Sequence, residues 1–477
     1  MGSAIIPSFA SKSFSIMLLG VPRLKRAVFG SLILLAACVI LASCGNSARS
    51  SGPTTSGLKF RALVSQDVSS IASVPGMIII DAQKDLRANR ASISSGIAFL
   101  PGAMIISNDR KITVSINDTN NAVEVIDNTK ESANGVTTLP GNTESLAISP
   151  DNSTAYAAMP NAAVPGGGTS GGVALVNLTN ASTPPVLPIP GAHFVSQSGD
   201  GSKLLVFSDN TDLSRLGKDA NVQTVTIVSP FNIVGGTKNA TCNPVLPSPV
   251  VCQYVAGFDH PVAGFFSSDN TQAWILNCGP ECGGTQASIQ LLDLHDPAHP
   301  AAGPATPLPG GATVGLISGQ TMYVAGNPPA GLNGCAGGPT TAAATCGRLT
   351  TFDLTTLPQA NPIAPSEVIP DGYHNKIDIS GDGQLFIGSH NCTNIVPANP
   401  GAEQRGCLAI LNTTTNSLVI PPDNGDVTGL QSITNRTVFY VVEGGELRIY
   451  DTTTDKIFTV RSIDIFGNAI DVKLIDF

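Results

Sequence analysis

"SGDGQLFIGSH", residues 380–390, repeats a phrase already written as "SPDNSTAYAAM" at 149–159 and "SGDGSKLLVFS" at 198–208. Each copy sets a Ser and an Asp two residues apart, follows them with Asn or Gly, and then runs into a short apolar stretch. Ser and Asp side chains bond backbone N–H groups close by in the chain, and Gly or Asn tolerates the positive φ of a tight turn. The apolar stretch has the length and composition of a β-strand. Working outward, the same turn and strand recur at 107–118, 267–277, 318–326 and 434–442. A companion strand follows each, as "VEVIDNT" (123–129), "VALVNLT" (173–179), "VTIVSPF" (225–231), "IQLLDLH" (289–295), "LTTFDLT" (349–355), "LAILNTT" (408–414) and "LRIYDTT" (447–453).

A worn eighth copy precedes these. In it "FRALVSQDV" (60–68) takes the second-strand place and "MIIIDAQ" (77–83) the third, with no first strand ahead of them. The missing strand is available at the other end, where "NAIDVKLIDF" (468–477) reads as a first strand with nothing after it. Repeated units of three or four antiparallel strands, with one strand borrowed across the termini, specify an all-β fold consisting of a single β-propeller. From Leu58 to Phe477 eight blades take about 52 residues each and seven take about 60, against about 40 to 50 for common blades. Eight blades are favoured and seven is the alternative, the C-terminal strand completing the first blade in either case.

Composition agrees with this reading. The chain is 42% apolar and 12% charged, with 49 Gly and 35 Pro, too apolar for disorder and too rich in turn residues for a helical protein. The formal net charge is -9, and beyond residue 43 Lys and Arg are not clustered as a nucleic-acid surface requires, so no nucleic-acid partner is expected.

The N-terminus reads as an address. Arg23, Lys25 and Arg26 lead into the apolar run Ala27 to Ile40, which is short for a spanning helix, and then comes Leu41-Ala42-Ser43-Cys44-Gly45. "LASC" resembles the bacterial lipobox, which implies residues 1–43 as a lipoprotein signal peptide and Cys44 as a diacylated mature N-terminus. Met17 is an alternative start that gives a signal of more ordinary length. "GNSARSSGPTTSG" carries no apolar pattern, so 44–57 is expected to be a flexible tether and 58–477 the propeller domain. Two acyl chains anchor stably where one is marginal. Gly45 is not the aspartate associated with inner-membrane retention in some bacteria, which favours the outer membrane.

Setting aside Cys38 and Cys44 leaves eight cysteines in close pairs: Cys242 with Cys252, Cys278 with Cys282, Cys335 with Cys346 and Cys392 with Cys407. Eight cysteines allow about 105 pairings, but proximity and an oxidising envelope favour these four local bridges. Zinc held by Cys278, Cys282 and a distant pair is the rival reading, without a second finger-like spacing to support it.

The phrases "SINDTNNAVEVIDNTK" (115–130) and "YVAGN" (323–327) resemble the YVTN-type propeller repeat. The likeness spans most of the mature chain and is strong in two or three units. It implies a propeller at a cell surface or envelope and no single activity, since that group includes surface-layer proteins and lactonase-like enzymes. Trp274 is the one tryptophan, so the chain lacks the tryptophan-docking repeats of quinoprotein-like propellers.

Asp127, Asp293, Asp353 and Asp451, at the ends of third strands, are expected to accept N–H groups of the following turn. Asp151, Asp200, Asp269 and Asp382 are expected to form the recurrent turn rather than to bind calcium, which needs a denser acidic loop. The second-to-third connections swell at 159–172, 208–221, 278–286, 326–347 and 389–406, all on one face of a propeller, around the channel mouth. Three of the four expected disulfides lie in them, and such loops on a rigid scaffold are where binding sites collect. His193, His260 and His374 each precede a first strand, in "GAHFV", "FDHPV" and "GYHNK", on that same face. Converging there with Asp259 they are candidate metal ligands, whereas His295 and His299 fall on the opposite face. "GGGTSGG" (166–172) lacks the lysine of a phosphate cradle, no nucleophile elbow or dinucleotide fingerprint occurs, and the sequence requires no cofactor. The function expected is a lipid-anchored binding or scaffolding surface with an envelope protein or glycan as partner. The alternative is a lactonase-like or other hydrolase with a metal at the channel mouth.

Overall fold

A computed structural model describes residues 55–67, 76–94, 102–117, 120–143, 145–163, 170–180, 182–211, 222–229, 251–328, 347–358, 367–392, 406–421, 425–465 and 467–476. Cys44, Cys242, Cys335 and Cys346 therefore lie outside the described residues, as do the signal segment and most of the expected tether. One compact unit runs from Thr55 to Phe477.

The described strands form eight four-stranded antiparallel sheets. Sheet 1 consists of Asn468–Asp476, Phe60–Asp67, Gly76–Asp81 and Leu86–Ser94 from the channel outward, so the last strand of the chain is the innermost strand of the first sheet. It pairs with Phe60–Asp67 along its whole length, from Phe60 opposite Asp476 to Asp67 opposite Asn468. The innermost strands of sheets 2 to 8 are Met104–Ile106, Ser145–Ile148, Ala192–Gln197, Pro261–Phe266, Val314–Ser318, Tyr373–Ile379 and Val427–Ser432. Each packs against its two neighbours, and the series closes from sheet 8 back onto sheet 1. The chain is a β-propeller closed by its C-terminal strand.

The recurrent turn explains its own residues. At Ser107, Ser149, Ser198, Ser267 and Ser380 the hydroxyl donates to the Asp two positions on, at 2.5 to 2.8 Å. The same oxygen accepts the N–H that opens the second strand, at 2.8 to 3.1 Å. The residue after the Asp has a positive φ, near 58° at Asn152 and 74° at Gly201, a conformation that Asn and Gly tolerate best. Third-strand carboxylates behave as expected: Asp127, Asp353 and Asp451 each accept the N–H and hydroxyl of the Thr two residues on.

Aliphatic side chains fill the space between adjacent sheets. Where the ring closes, Ala62, Val64, Ile78 and Ile80 of sheet 1 interdigitate with Tyr440, Val442 and Ile449 of sheet 8, all buried. Towards the channel a different device operates. Side chains of one innermost strand accept backbone N–H groups of the next: Ser145 from Val195, Ser196 from Gly264, Asp378 from Ser432, Gln431 from Leu474 and Asp471 from Met104, at 2.8 to 3.3 Å. An innermost edge otherwise presents unpaired N–H groups, so these bonds satisfy the edge and stitch sheet to sheet.

Thr55, Ser56 and Gly57, expected in the tether, are described with the folded unit. Ser56 bonds through both its N–H and its hydroxyl to Glu131, which also receives Arg61 at 2.6 Å.

Candidate functional site

Successive strands run in opposite directions, so second-to-third connections and the approaches to innermost strands share one face, here called the upper face. The connection from Asn277 to Ser288 builds part of that face. Cys278 and Cys282 are disulfide-bonded and enclose the short 3-10 turn Gly279–Cys282. A second bridge joins Cys392 to Cys407, and Cys252 is also disulfide-bonded, its partner lying outside the described residues.

Asp259, on the approach to sheet 5, reaches under this connection. Its Oδ2 accepts the Thr285 N–H at 2.7 Å, the Thr285 hydroxyl at 2.6 Å and the Gln286 N–H at 2.9 Å, while Oδ1 lies 3.1 Å from His260 Nδ1. Partial burial opposes the charge, but the hydrogen bonds from Thr285, Gln286 and His260 outweigh it and hold the carboxyl at about 2. Below it Asn277 donates to Ser288 Oγ at 3.0 Å and to Gln290 Oε1 at 2.9 Å, and Gln290 in turn donates to the Gly257 and Gly303 carbonyls. Asp259, Asn277, Thr285, Gln286, Ser288 and Gln290 line an open pocket of about 580 Å³. Its polar side chains are locked by one another, as a preformed recognition surface requires.

Glu281, at the tip of the disulfide loop, makes the second arrangement. Its carboxylate oxygens accept the N–H and the side-chain amide of Asn327 at 2.9 and 3.0 Å, and the same amide donates to the Gly372 carbonyl at 2.7 Å. Glu281 comes from sheet 5, Asn327 follows a strand of sheet 6 and Gly372 precedes sheet 7, so one carboxylate and one amide tie three sheets. Burial pushes the Glu281 carboxyl up to about 7, although both Asn327 hydrogen bonds pull the other way. The side chain keeps part of its surface in solvent and can exchange its proton.

The structure does not bring the three candidate histidines together among the described residues. Among the described residues no group of three His, Cys, Asp or Glu side chains is placed to hold a metal ion. His193, His260 and His374 open sheets 4, 5 and 7 and occupy different positions relative to the irregularities there. His193 sits at the register shift between Ala192 and Phe194, with its ring 6.1 Å from that of Phe194. His260 precedes its strand, with φ near 57°, and its ring is turned to Asp259. His374 pairs with Ser389, is 1% exposed, and its Nε2 lies 3.0 Å from the Pro370 carbonyl. Burial lowers its imidazole to about 4, so it is neutral in the folded protein. His295 and His299 are exposed and bonded to Asp293 and Asp296.

Asp259 was singled out by the sequence, but as a metal ligand and not as the anchor of a loop. Glu281 and Asn327 were missed. The signal for Glu281 was its place inside "CGPEC", where a bridge spanning three residues forces the chain to double back and hold the intervening side chain close to the surface it covers.

No family model, of YVTN-type repeats or any other, matches the chain, and no curated protein matches it. Solved structures do. The chain is similar to the structure described as dihydro-heme d1 dehydrogenase NirN in complex with DHE, at 12% identity and a TM-score of 0.54, over 87% of this chain and 75% of that one. A putative 6-phosphogluconolactonase from Bacteroides uniformis gives 11% identity and 0.45, over 87% and 99%. The periplasmic gluconolactonase PpgL of Pseudomonas aeruginosa gives 11% and 0.42 over the same shares. At such identities the likeness is one of fold.

Proposed function

We propose that this protein is a lipid-anchored component of the cell envelope that binds a partner through its upper face. The observation carrying this reading is the Asp259 pocket: a carboxylate kept charged by three donors, rimmed by hydroxyl and amide groups, and braced by a disulfide loop that Glu281 and Asn327 fasten to two further sheets. Such a surface suits an envelope protein or glycan that presents N–H or O–H donors. The second strand of sheet 1 rises from the opposite face, so Phe60 lies on the side away from the pocket.

The test uses the full chain in its own envelope. Cys44→Ser is expected to abolish palmitate incorporation and to move the protein from the membrane to the soluble fraction. A photo-crosslinking side chain at Thr285, on the upper face, is expected to give an adduct of defined mass, and one at Thr129, on the other face, is not. Adducts from Thr129 alone, or from neither position, sink the upper-face reading, and unchanged fractionation of Cys44→Ser sinks the anchor.

A second reading has one observation in its favour. A partly exposed carboxyl at about 7 is poised for proton transfer at neutral pH, which suits a hydrolase acting on a lactone or ester. Glu281→Gln is then expected to remove any such activity of the full chain. An activity that survives the substitution eliminates Glu281 as its acid or base.

A further inference from the structure

The lower face carries a second recess, unrelated to the Asp259 pocket. It lies between sheets 5 and 6 and encloses about 630 Å³. Gln272 and Trp274 stand two residues apart on Gln272–Asn277 of sheet 5 and therefore share one side of that strand. Across from them lie the tight turn of sheet 6 at Gln320 and the turn after its third strand, with Leu357. Trp274, Ile317 and Leu357 pack against the buried core between the two sheets, so the floor of the recess is apolar and fixed. The rim is polar.

Three features specify a ligand class. First, the flat hydrophobic surface belongs to an indole, a broad platform with a donor at its edge. Second, the Trp274 ring N–H and the side-chain amides of Gln272 and Gln320 have no hydrogen-bond partner among the described residues, so two amides and an indole N–H are free to recognise something. Third, no ionisable side chain lines the recess, and the turn carboxylates beside it are already occupied, Asp269 by Ser267 and Thr271 and Asp353 by Thr355, at 2.6 to 3.1 Å. A charged ligand would lose hydration here without gaining a counter-charge. A ring with apolar C–H faces and equatorial hydroxyls gains on both counts: its face covers the indole and its hydroxyls pair with groups that both donate and accept. The volume is within the range of about 300 to 1,000 Å³ for small-molecule sites.

We propose that this recess binds a neutral saccharide, with a pyranose face on Trp274 and ring hydroxyls on the amides of Gln272 and Gln320. The proposal does not depend on the upper-face reading, because the two pockets share no lining residue.

Trp274 is the single tryptophan of the chain, so its emission reports on this site without labelling. The full chain is titrated with maltose, cellobiose and N,N′-diacetylchitobiose, with galacturonate as the ionic control. A saturable change in emission is expected with at least one neutral disaccharide. Replacing both amides, Gln272→Ala with Gln320→Ala, is expected to weaken that binding at least tenfold while leaving the thermal midpoint unchanged. Trp274→Phe, followed by calorimetry, is expected to weaken it by several-fold, since a smaller ring without the N–H remains. Failure of all three disaccharides to perturb the emission overturns the proposal. So does undiminished affinity in the double amide variant, or a response to galacturonate alone.

Discussion

The closure of the ring offers the sharpest test of the energetics. Asp85, in the turn leading to the outermost strand of sheet 1, is 3% exposed at its side chain. It receives Arg436 of sheet 8 in a two-point contact, Nη1 to Oδ1 at 2.6 Å and Nη2 to Oδ2 at 2.8 Å. The Tyr440 hydroxyl donates to Oδ1 at 2.6 Å, and Arg461 approaches Oδ2 at 3.2 Å. Asp85→Asn keeps the size of the side chain and suits the positive φ of 58° at this position, so it preserves the packing while removing the charge and replacing one acceptor oxygen by an N–H donor that faces other donors. Breaking a buried pair costs about 3 to 5 kcal/mol. Arg436 is 22% and Arg461 45% exposed at the side chain, and water will take over part of their solvation, so a loss of about 2 to 4 kcal/mol is expected at neutral pH.

The pH dependence carries the diagnosis. Burial would raise the Asp85 carboxyl, but the hydrogen bonds from Arg436 and Tyr440 and the charges of Arg436 and Arg461 outweigh it, leaving it below its ordinary 3.8. A carboxyl depressed by folding contributes stability that is fully present above its unfolded value and lost as pH falls through its folded one. The difference between wild type and Asp85→Asn in urea unfolding should therefore be flat from pH 7 to about 5 and shrink below about 4. A difference under about 0.5 kcal/mol at pH 7, the ordinary range of surface substitutions, refutes the latch. A difference that stays constant down to pH 3 shows that lost packing, not lost charge, is responsible.

Glu281 behaves in the opposite sense. Burial raises its carboxyl from 4.5 to about 7, so its contribution is fully present below about pH 4.5 and is lost as pH rises through 7, by about 2 to 3 kcal/mol. Unfolding curves of wild type and Glu281→Gln should consequently diverge between pH 4.5 and 7 and run parallel outside that window; parallel behaviour throughout contradicts the assignment. Replacing Cys278 and Cys282 together with Ser should cost about 2 kcal/mol by the loop-entropy relation for so short a loop, readable in urea midpoints with and without reductant. Reductant should leave the double variant's loop unaffected. Ser198→Ala removes a hydroxyl that both donates to Asp200 and accepts the Lys203 N–H, and a loss of about 1 to 2 kcal/mol is expected; a neutral result would mean that the turn is held by the backbone alone.

The architecture was legible because its cause is local and repeated. The Ser to Asp hydrogen bond, the return bond to the second strand and the positive φ after the Asp all lie within six residues, so the phrase at 149 or 198 contains its own geometry. Closure was legible as well, since "NAIDVKLIDF" lacks the strands that should follow a first strand. Outermost strands were not read individually. Val186–Leu187 and Lys456–Ile457 are two residues long and too short to show alternation, and they exist because the third strand offers them an edge.

The candidate sites were less legible for a reason that is equally physical. Glu281 and Asn327 are 46 residues apart, and Asn327 and Gly372 are 45, about one repeat in each step. Nothing in either residue's neighbourhood announces the other; they meet because consecutive sheets bring corresponding points of the repeat side by side. The histidines show the converse. His193, His260 and His374 were expected to converge, but the register shift that recurs in these first strands shows that they hold different positions: His193 is the residue skipped, His374 the one before it and His260 two before it. Equivalence along the sequence brings backbones together, and an offset of a single residue decides which side chains meet. A functional reading of a propeller must therefore start from its departures from the repeat, and both pockets of sheet 5 arise at such departures: the disulfide loop after Asn277 above, and below, the turn at Gln320 beside the one tryptophan of the chain.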